Sequence, residues 1–525
     1  MNGFLVYISL LGCQDEASST VQIVRSPSQE EERDWSAGVT ELGMQWFARA
    51  SLDIRGYRPS PEELDWAAQN PDTITDILDS WLSEPAFAHQ MAWYWNDLLH
   101  TAVWIGQEER FASMAFTLEE EQAIGWEPLA YIEQTILSNA PFTNIVTTDS
   151  VPTNEVLASV FADDSELLDW GMHQTLREHP AAGVLSSRVL WTRHFVDFLN
   201  HNRARANYYS ATFLCQDYLE RDVAFDFSQV SLDNVETAIQ TQPECVTCHA
   251  SLDPLASVFG AFQENINLSY DQQGVASTFK QRWFAGLTEP SFFGLPLNNL
   301  SELGAYTASD ARFAQCMVEQ TWNFFVEDTE IDDLEKIDLT HIFVQSDYSI
   351  NQLVGHIVQS PEYVQQRSRV LRPEQLLETL VQMSRLDNED PVLSKLVWSP
   401  EHRVLFGSTD NLGVLTANSA FTVGHHLALE WLTTELSNVL ENDLLTQSIQ
   451  DRVLLTEVMG ETDADRQRQI LHWKQTLHSE FVDASNAEVQ ALVNLWNNVS
   501  ADRGELAAWS TVLAVLIHDP RAVLR

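Results

Sequence analysis

Two thiols three residues apart, with an imidazole adjoining the second, stand at Cys245-Val246-Thr247-Cys248-His249. A C-x-x-C-H run is the attachment signature of a c-type haem, in which the thiols form thioethers to the vinyl groups and the imidazole ligates the iron. This assigns one covalent haem c to Cys245 and Cys248, with His249 as the proximal ligand. The competing uses of paired cysteines fit less well. Half of a zinc site calls for a second C-x-x-C or a spaced His pair nearby, and a thioredoxin-like dithiol sits in a βαβ context. The sequence offers neither.

A haem is tuned by its axial ligands, its burial and the hydrogen bonds around it. Leu252, Leu255, Val258, Phe259 and Phe262 supply apolar groups close in sequence, which serve equally as core, and Pro254 would stiffen a turn under the ring. A backbone carbonyl accepting the outer N–H of His249 would fix its tautomer. The sixth ligand separates two functions: Met or His makes an electron-transfer haem, and an open position permits peroxide or oxygen chemistry. Met317 and His194 are the candidates, Met317 also fitting a core role and His194 a structural one. Arg203 and Arg205 are placed to pair with propionates or with carboxylates of the chain itself.

Of the five cysteines, Cys215 and Cys316 remain once the haem pair and Cys13 are assigned. In an oxidising compartment they form a disulfide across the haem motif; otherwise they are two buried thiols. Cys13 ends the short apolar stretch from Gly3, as Leu10-Leu11-Gly12-Cys13, and looks like a lipobox whose Cys is lipidated. No basic residue precedes that stretch, and Leu11 stands where small residues are commoner. An ordinary cleaved signal or a buried strand are the other readings. Both export readings agree with the haem motif, because c-type haem is attached outside the cytoplasm. Other constellations are weaker: Trp93, Asp97 and His100 share a helix face as a possible small polar site, and adjacent His425 and His426 point to different faces, so they cannot share one metal. No H-E-x-x-H, G-x-S-x-G or phosphate-binding glycine loop is present.

The elements that must hold these groups are helical. With 44% hydrophobic residues, 17 Trp and 25 Phe, the chain can fill substantial cores, and strand-like alternation is sparse. Residues 14–35 are rich in Ser, Gln and Glu and form a tether. Ser60-Pro61-Glu62-Glu63 combines an N-cap, a first-turn Pro and a capping-box Glu, so a helix starts at Pro61. Further helices are predicted over 73–83, 86–100, 118–137, 189–200, 206–220, 310–325 and 350–358, with a second block opening at Arg372-Pro373-Glu374-Gln375-Leu376. Residues 387–415 are loop-rich, and long helices resume from Val423. No stretch after the first residues reaches the roughly 20 apolar residues of a membrane span.

Charge excludes some partners. Only 29 basic residues, four of them lysine, oppose 76 acidic ones, for a net charge of −47. Such a polyanion repels nucleic acid and anionic lipid surfaces, leaving a lipid anchor as the membrane contact. It suits either docking of basic partners or solvation in a salty habitat.

The segment Ala50-Ser51-Leu52-Asp53-Ile54-Arg55-Gly56-Tyr57-Arg58-Pro59-Ser60-Pro61-Glu62-Glu63-Leu64, with Trp93-Tyr94-Trp95-Asn96-Asp97-Leu98-Leu99, resembles the N-terminal helical domain of planctomycete-type cytochrome c proteins. Cys245 to Leu255, with Asp253-Pro254 shortly after the motif, and Phe313-Ala314-Gln315-Cys316 resemble the same exported bacterial group, whose domains are largely of unknown function. The resemblance spans about 42–326, and 507–525 resembles the group's closing helix. Ala256 departs from it, standing where the group often has Gly, with the next Gly at Gly260. The combined expectation is a mainly α, multidomain protein with a small c-type cytochrome-like module. Its parts are a signal at 1–13, the tether to 35, an N-terminal helical domain at 36–150, a helical segment at 151–240, a haem module at 241–330, connecting helices at 331–370 and a C-terminal helical domain at 371–525. Such a protein is a periplasmic or cell-surface lipoprotein passing electrons to or from a partner. A haem peroxidase or oxidase, a component of an extracellular polymer-degrading system, and a scaffold with structural haem are the alternatives.

Overall fold

The segment from Ala50 to Leu64, which carries part of the family resemblance, turns out to be a clamp. A computed structural model of the chain describes residues 43–107, 115–161, 171–174, 181–194, 200–221, 235–259, 289–326, 329–446, 448–458, 462–480 and 482–525. The helix Met44–Arg55 ends at Gly56, whose left-handed φ of 78° suits a residue without a Cβ. Ser60 then caps the helix Pro61–Gln69 through a reciprocal capping box with Glu63. The Glu63 carboxylate also takes the Arg55 guanidinium at 2.8 Å and Trp81 Nε1–H at 3.0 Å, so one side chain ties two helices and the next turn together.

The same segment reaches far along the chain. Asp53, 1% exposed, pairs with the Arg525 guanidinium and accepts the Tyr363 hydroxyl at 2.8 Å. Arg58 donates to the carbonyls of Arg521 and Ala522 at 2.9 and 3.1 Å, and Gln375 donates to the Leu52 carbonyl. Trp46 Nε1–H reaches the Val358 carbonyl at 2.7 Å. These bonds seat the 371–525 helices directly on the first ones. One hydrophobic core accordingly runs from Trp46 to Val523, crossing the expected boundaries near 150, 240, 330 and 370. Residues Trp35–Arg525 form one compact unit.

The described residues are mainly α, 69% helix and 3% strand. Among the described residues the strands are two antiparallel pairs, Ser150–Thr153 with Gly171–Gln174 and Ser291–Phe292 with Leu295–Pro296. Several helices fall where periodicity and caps put them, including Leu118–Leu137 behind its Thr117–Glu120 capping box and Ala311–Phe325 behind Asp310. Others differ. The helix expected over 206–220 spans Arg203–Leu214, because Cys215 turns left-handed at φ 49° and ends it. Arg188–Arg193 is short, and the loop-rich 387–415 segment contains Pro391–Trp398 and Pro400–Leu405. Both of the latter start with a capping Asp390 or Ser399 and a first-turn Pro, the signal already used at Pro61. No described helix is long and apolar enough to cross a membrane.

Asp53→Asn leaves the Arg525 guanidinium buried without its countercharge. It is expected to cost about 3–5 kcal/mol in urea unfolding, against under about 0.5 kcal/mol for Asp65→Asn on an exposed helix face.

Candidate functional site

The cysteine motif lies inside a helix, Pro243–Val258, opened by a first-turn Pro after Gln242. Positions 245, 248, 249 and 252 fall at i, i+3, i+4 and i+7, so both thiols and the imidazole share one helix face. Cys248 is buried, Cys245 is intermediate, and both are free thiols. Pro254 sits buried within the helix instead of in a turn. Ala256, fully buried in the same helix, has a helix propensity about 1 kcal/mol better than the Gly it replaces. The departure from the resembled pattern therefore favours helix through to Val258.

The His249 ring is oriented by a carboxylate, not by a backbone carbonyl. Nδ1–H donates to Asp253 Oδ1 at 2.8 Å, and the same carboxylate receives Arg203 Nε and Nη2 at 2.8 and 3.0 Å. Burial pushes the Asp253 carboxyl up, but the hydrogen bonds from His249 and Arg203 outweigh it, so it stays below the ordinary Asp range. With Nδ1 carrying the proton, Nε2 is the basic nitrogen, and it is turned away from Asp253. This is the arrangement of an imidazole whose outer nitrogen is anchored so that the inner one can bind a metal. Together with two thiols on the same face, the donor set fits a covalently attached haem. Haem bound there would supply one-electron redox chemistry, held by Cys245, Cys248 and His249.

Helices Arg203–Leu214 and Val235–Thr241 and strand Ser291–Phe292 pack around this helix. Leu252, Leu255, Val258 and Phe259 are buried, and Phe259 lies 4.5 Å from the Trp191 ring centroid. Phe262, Gly260 and Cys13 lie outside the described residues. Cys215 and Cys316 form a disulfide with Cα atoms 5.2 Å apart, linking the end of the Arg203–Leu214 helix to the helix Ala311–Phe325. The wall that carries Arg203 is thereby fixed to the core.

The two candidate sixth ligands have other occupations. Met317 is fully buried among core side chains. His194 Nε2–H donates to the Leu99 carbonyl at 3.1 Å, and its ring stacks on Tyr208 at 3.6 Å. Burial and the adjacent Arg193 hold that imidazole well below its ordinary value, so it is neutral. Arg205 binds the Trp191 and His194 carbonyls. Arg203 therefore serves Asp253, and Arg205 serves the backbone and the Asn202 side chain.

The Trp93, Asp97 and His100 grouping is not assembled. Trp93 Nε1–H donates to His89 Nε2, Asp97 takes Arg372 at 2.5 Å, and His100 leaves the helix as its left-handed cap. His425 is buried and His426 exposed, on separate faces. Among the described residues no group of three or more His, Cys, Asp or Glu could hold a metal ion. The contributions of Asp253 and Arg203 as a pair were missed from sequence. The i,i+4 spacing of His249 and Asp253 was the available signal for half of it.

Residues 23–255, less than half of the 525, match the family PSCyt2, described as a protein of unknown function (DUF1549). This is a planctomycete cytochrome-associated domain, and the chain is similar to it over a stretch that takes in both the Asp53–Leu64 clamp and the Cys245–His249 motif. No curated protein and no solved structure matches the chain.

Replacing Cys215 and Cys316 together by Ala is expected to lower unfolding stability by about 2–5 kcal/mol, given the long loop the bridge closes. In the thiol form, alkylation without reductant should label Cys245 first and spare Cys215 and Cys316. Full labelling of all four without reductant would contradict the bridge. The contribution of Asp253 is present above the ordinary Asp pKa and is lost as pH falls through its lowered folded value, because only the carboxylate accepts both partners.

Proposed function

We propose that this chain is an exported c-type protein with a single covalent haem that passes electrons to or from a partner protein. The observation that carries the reading is the common helix face of Cys245, Cys248 and His249, with His249 Nδ1 anchored on Asp253. Asp253 acts as a positioning residue: it fixes the ring tautomer and directs Nε2 outward, while Arg203 holds the carboxylate still. The similarity to a cytochrome-associated domain supports the same reading. Export and lipidation at Cys13, one haem c, and a partner carrying basic groups complete the proposal. The surface charge of this acidic chain would steer such a partner toward it.

A second reading, a haem peroxidase or oxidase, is favoured by one feature. A carboxylate on Nδ1 of the ligating imidazole would favour the oxidised form of an iron bound there, which would suit oxygen or peroxide chemistry.

The test is an absorption spectrum, oxidised, reduced and under carbon monoxide, on protein exported through a c-type maturation system. Covalent haem that ignores carbon monoxide is expected for electron transfer, and ready binding moves the second reading forward. Absence of covalent haem overturns both. Asp253→Asn should keep covalent haem and raise its reduction potential, by about 60 mV for each tenfold change in redox preference. Cys245→Ala with Cys248→Ala should abolish attachment.

A further inference from the structure

The exposed apolar residues of this acidic chain are unevenly placed. Of the sixteen large hydrophobic side chains exposed among the described residues, seven lie between positions 404 and 427. Val423 is 77% exposed, Leu427 54% and Phe421 48%. The same stretch carries no charge. From Asn411 to Leu429 there is no Asp, Glu, Lys or Arg, in a chain where these types make up 20% of the residues.

The fold gathers these side chains into one patch. Helix Val423–Leu445 packs against the short helix Pro400–Leu405, and a Cβ at Gly424 would lie 3.3 Å from the Leu405 carbonyl. The exposed end of one helix therefore abuts the first turn of the other. Val423, Leu427 and the half-buried Trp431 recur at i, i+4 and i+8 and form a single stripe. The Phe421 ring stacks on that of His425 with centroids 5.4 Å apart, and the buried His425 accepts the Thr422 N–H on Nδ1 at 3.1 Å. The phenyl ring is thus seated without help from a partner. Asn418 N–H donates to the Gly407 carbonyl at 2.7 Å, which ties the exposed 413–418 loop to the same corner.

The lack of both signs of charge selects the occupant. A face for a basic partner carries acids, and a face for anionic lipid carries Lys or Arg; this stretch has neither. In a symmetric contact between two copies, a residue near the axis meets its own counterpart, so any charge there meets the same charge. An uncharged patch avoids that cost. For a chain of net charge −47, it is where two copies approach with the least repulsion. The seven side chains offer roughly 600 Å2, so two such patches in contact bury roughly 1,200 Å2, the lower end of the range for specific interfaces.

We propose that this patch is the interface of a homodimer, in which Phe421, Val423 and Leu427 of one copy pack against the same surface of a second copy. Exposed Glu401 and Glu430 lie on the same two helices, so some repulsion between copies persists and salt strengthens the contact. Docking of a basic partner on the acidic surface has the opposite salt dependence. The dimer does not involve haem attachment, so it stands or falls separately from the electron-transfer reading.

The experiment is sedimentation velocity of the full chain, with Cys13→Ser throughout so that no acyl chain drives association. A monomer–dimer equilibrium in the micromolar range is expected, tightening about threefold or more as sodium chloride rises from about 0.05 to about 0.5 M. Val423→Glu with Leu427→Glu puts acids at exposed positions near a helix N-terminus, where the helix dipole favours them. The melting temperature should hold while the dissociation constant rises roughly a hundredfold. Val423→Ser with Leu427→Ser adds no charge and should weaken the dimer about tenfold. A chain that is monomeric at every salt concentration, or a dimer that both double variants leave intact, overturns the proposal. So does a monomer that cosediments with phosphatidylcholine vesicles and loses that binding in the double Glu variant, which would assign the patch to neutral lipid.

Discussion

The architecture depends on a buried charge pair, Asp53 with Arg525. Two ions removed from water cost several kcal/mol each, and that cost is offset only when the remaining hydrogen-bonding capacity is also filled. Here it is: Asp53 accepts from Tyr363, Arg525 donates to the Tyr94 hydroxyl, and Tyr94 donates to the Asp53 carbonyl. The network draws the helices Met44–Arg55 and Pro85–Leu99, residue 363 and the 520–525 segment to one point. With Arg58, Gln375 and Trp46 bridging around it, helices distant in sequence share one core. The stretch of Asp53 to Leu64 that gives the chain its family resemblance is thus explained by packing and pairing, with no reactive group required.

The C-x-x-C-H segment uses that rigidity. The Pro243–Val258 helix buries Leu255 and Val258 in the same core together with Cys248 and Leu252, so the thiol face is itself half set into a fixed scaffold. The disulfide pins the end of the Arg203–Leu214 helix whose first residue holds Asp253. Core, disulfide, arginine, carboxylate and imidazole form a continuous chain of support, and each link restricts the next.

Charge is segregated by the fold. Arg55, Arg58, Arg205, Arg369, Arg403 and Arg525 are all buried, where they cap carbonyls or pair with carboxylates. Buried acids such as Asp53, Glu127, Asp253, Glu374 and Asp443 match them, so the large negative excess of the chain is carried on its surface. A surface of that kind favours approach of cationic partners and makes their association weaken with salt.

Local physics made much of this legible in the sequence. Caps, first-turn prolines and 3.6-residue periodicity are written within a few residues, so Leu118–Leu137, Pro61–Gln69 and Ala311–Phe325 could be located, and the spacing of C-x-x-C-H singled out Cys245, Cys248 and His249 as candidates. The same signals at Asp390-Pro391 and Ser399-Pro400 were masked by neighbouring turn residues, which hid two short helices. What the sequence determined by itself was the helical class, the acidic character and the candidate attachment residues. Only the tertiary structure decided that Asp253 and Arg203 hold His249 and that Tyr94 meets Arg525 across 431 positions. Pairings between distant segments leave no periodic imprint, because they are fixed by which helix faces meet and not by the residues beside them.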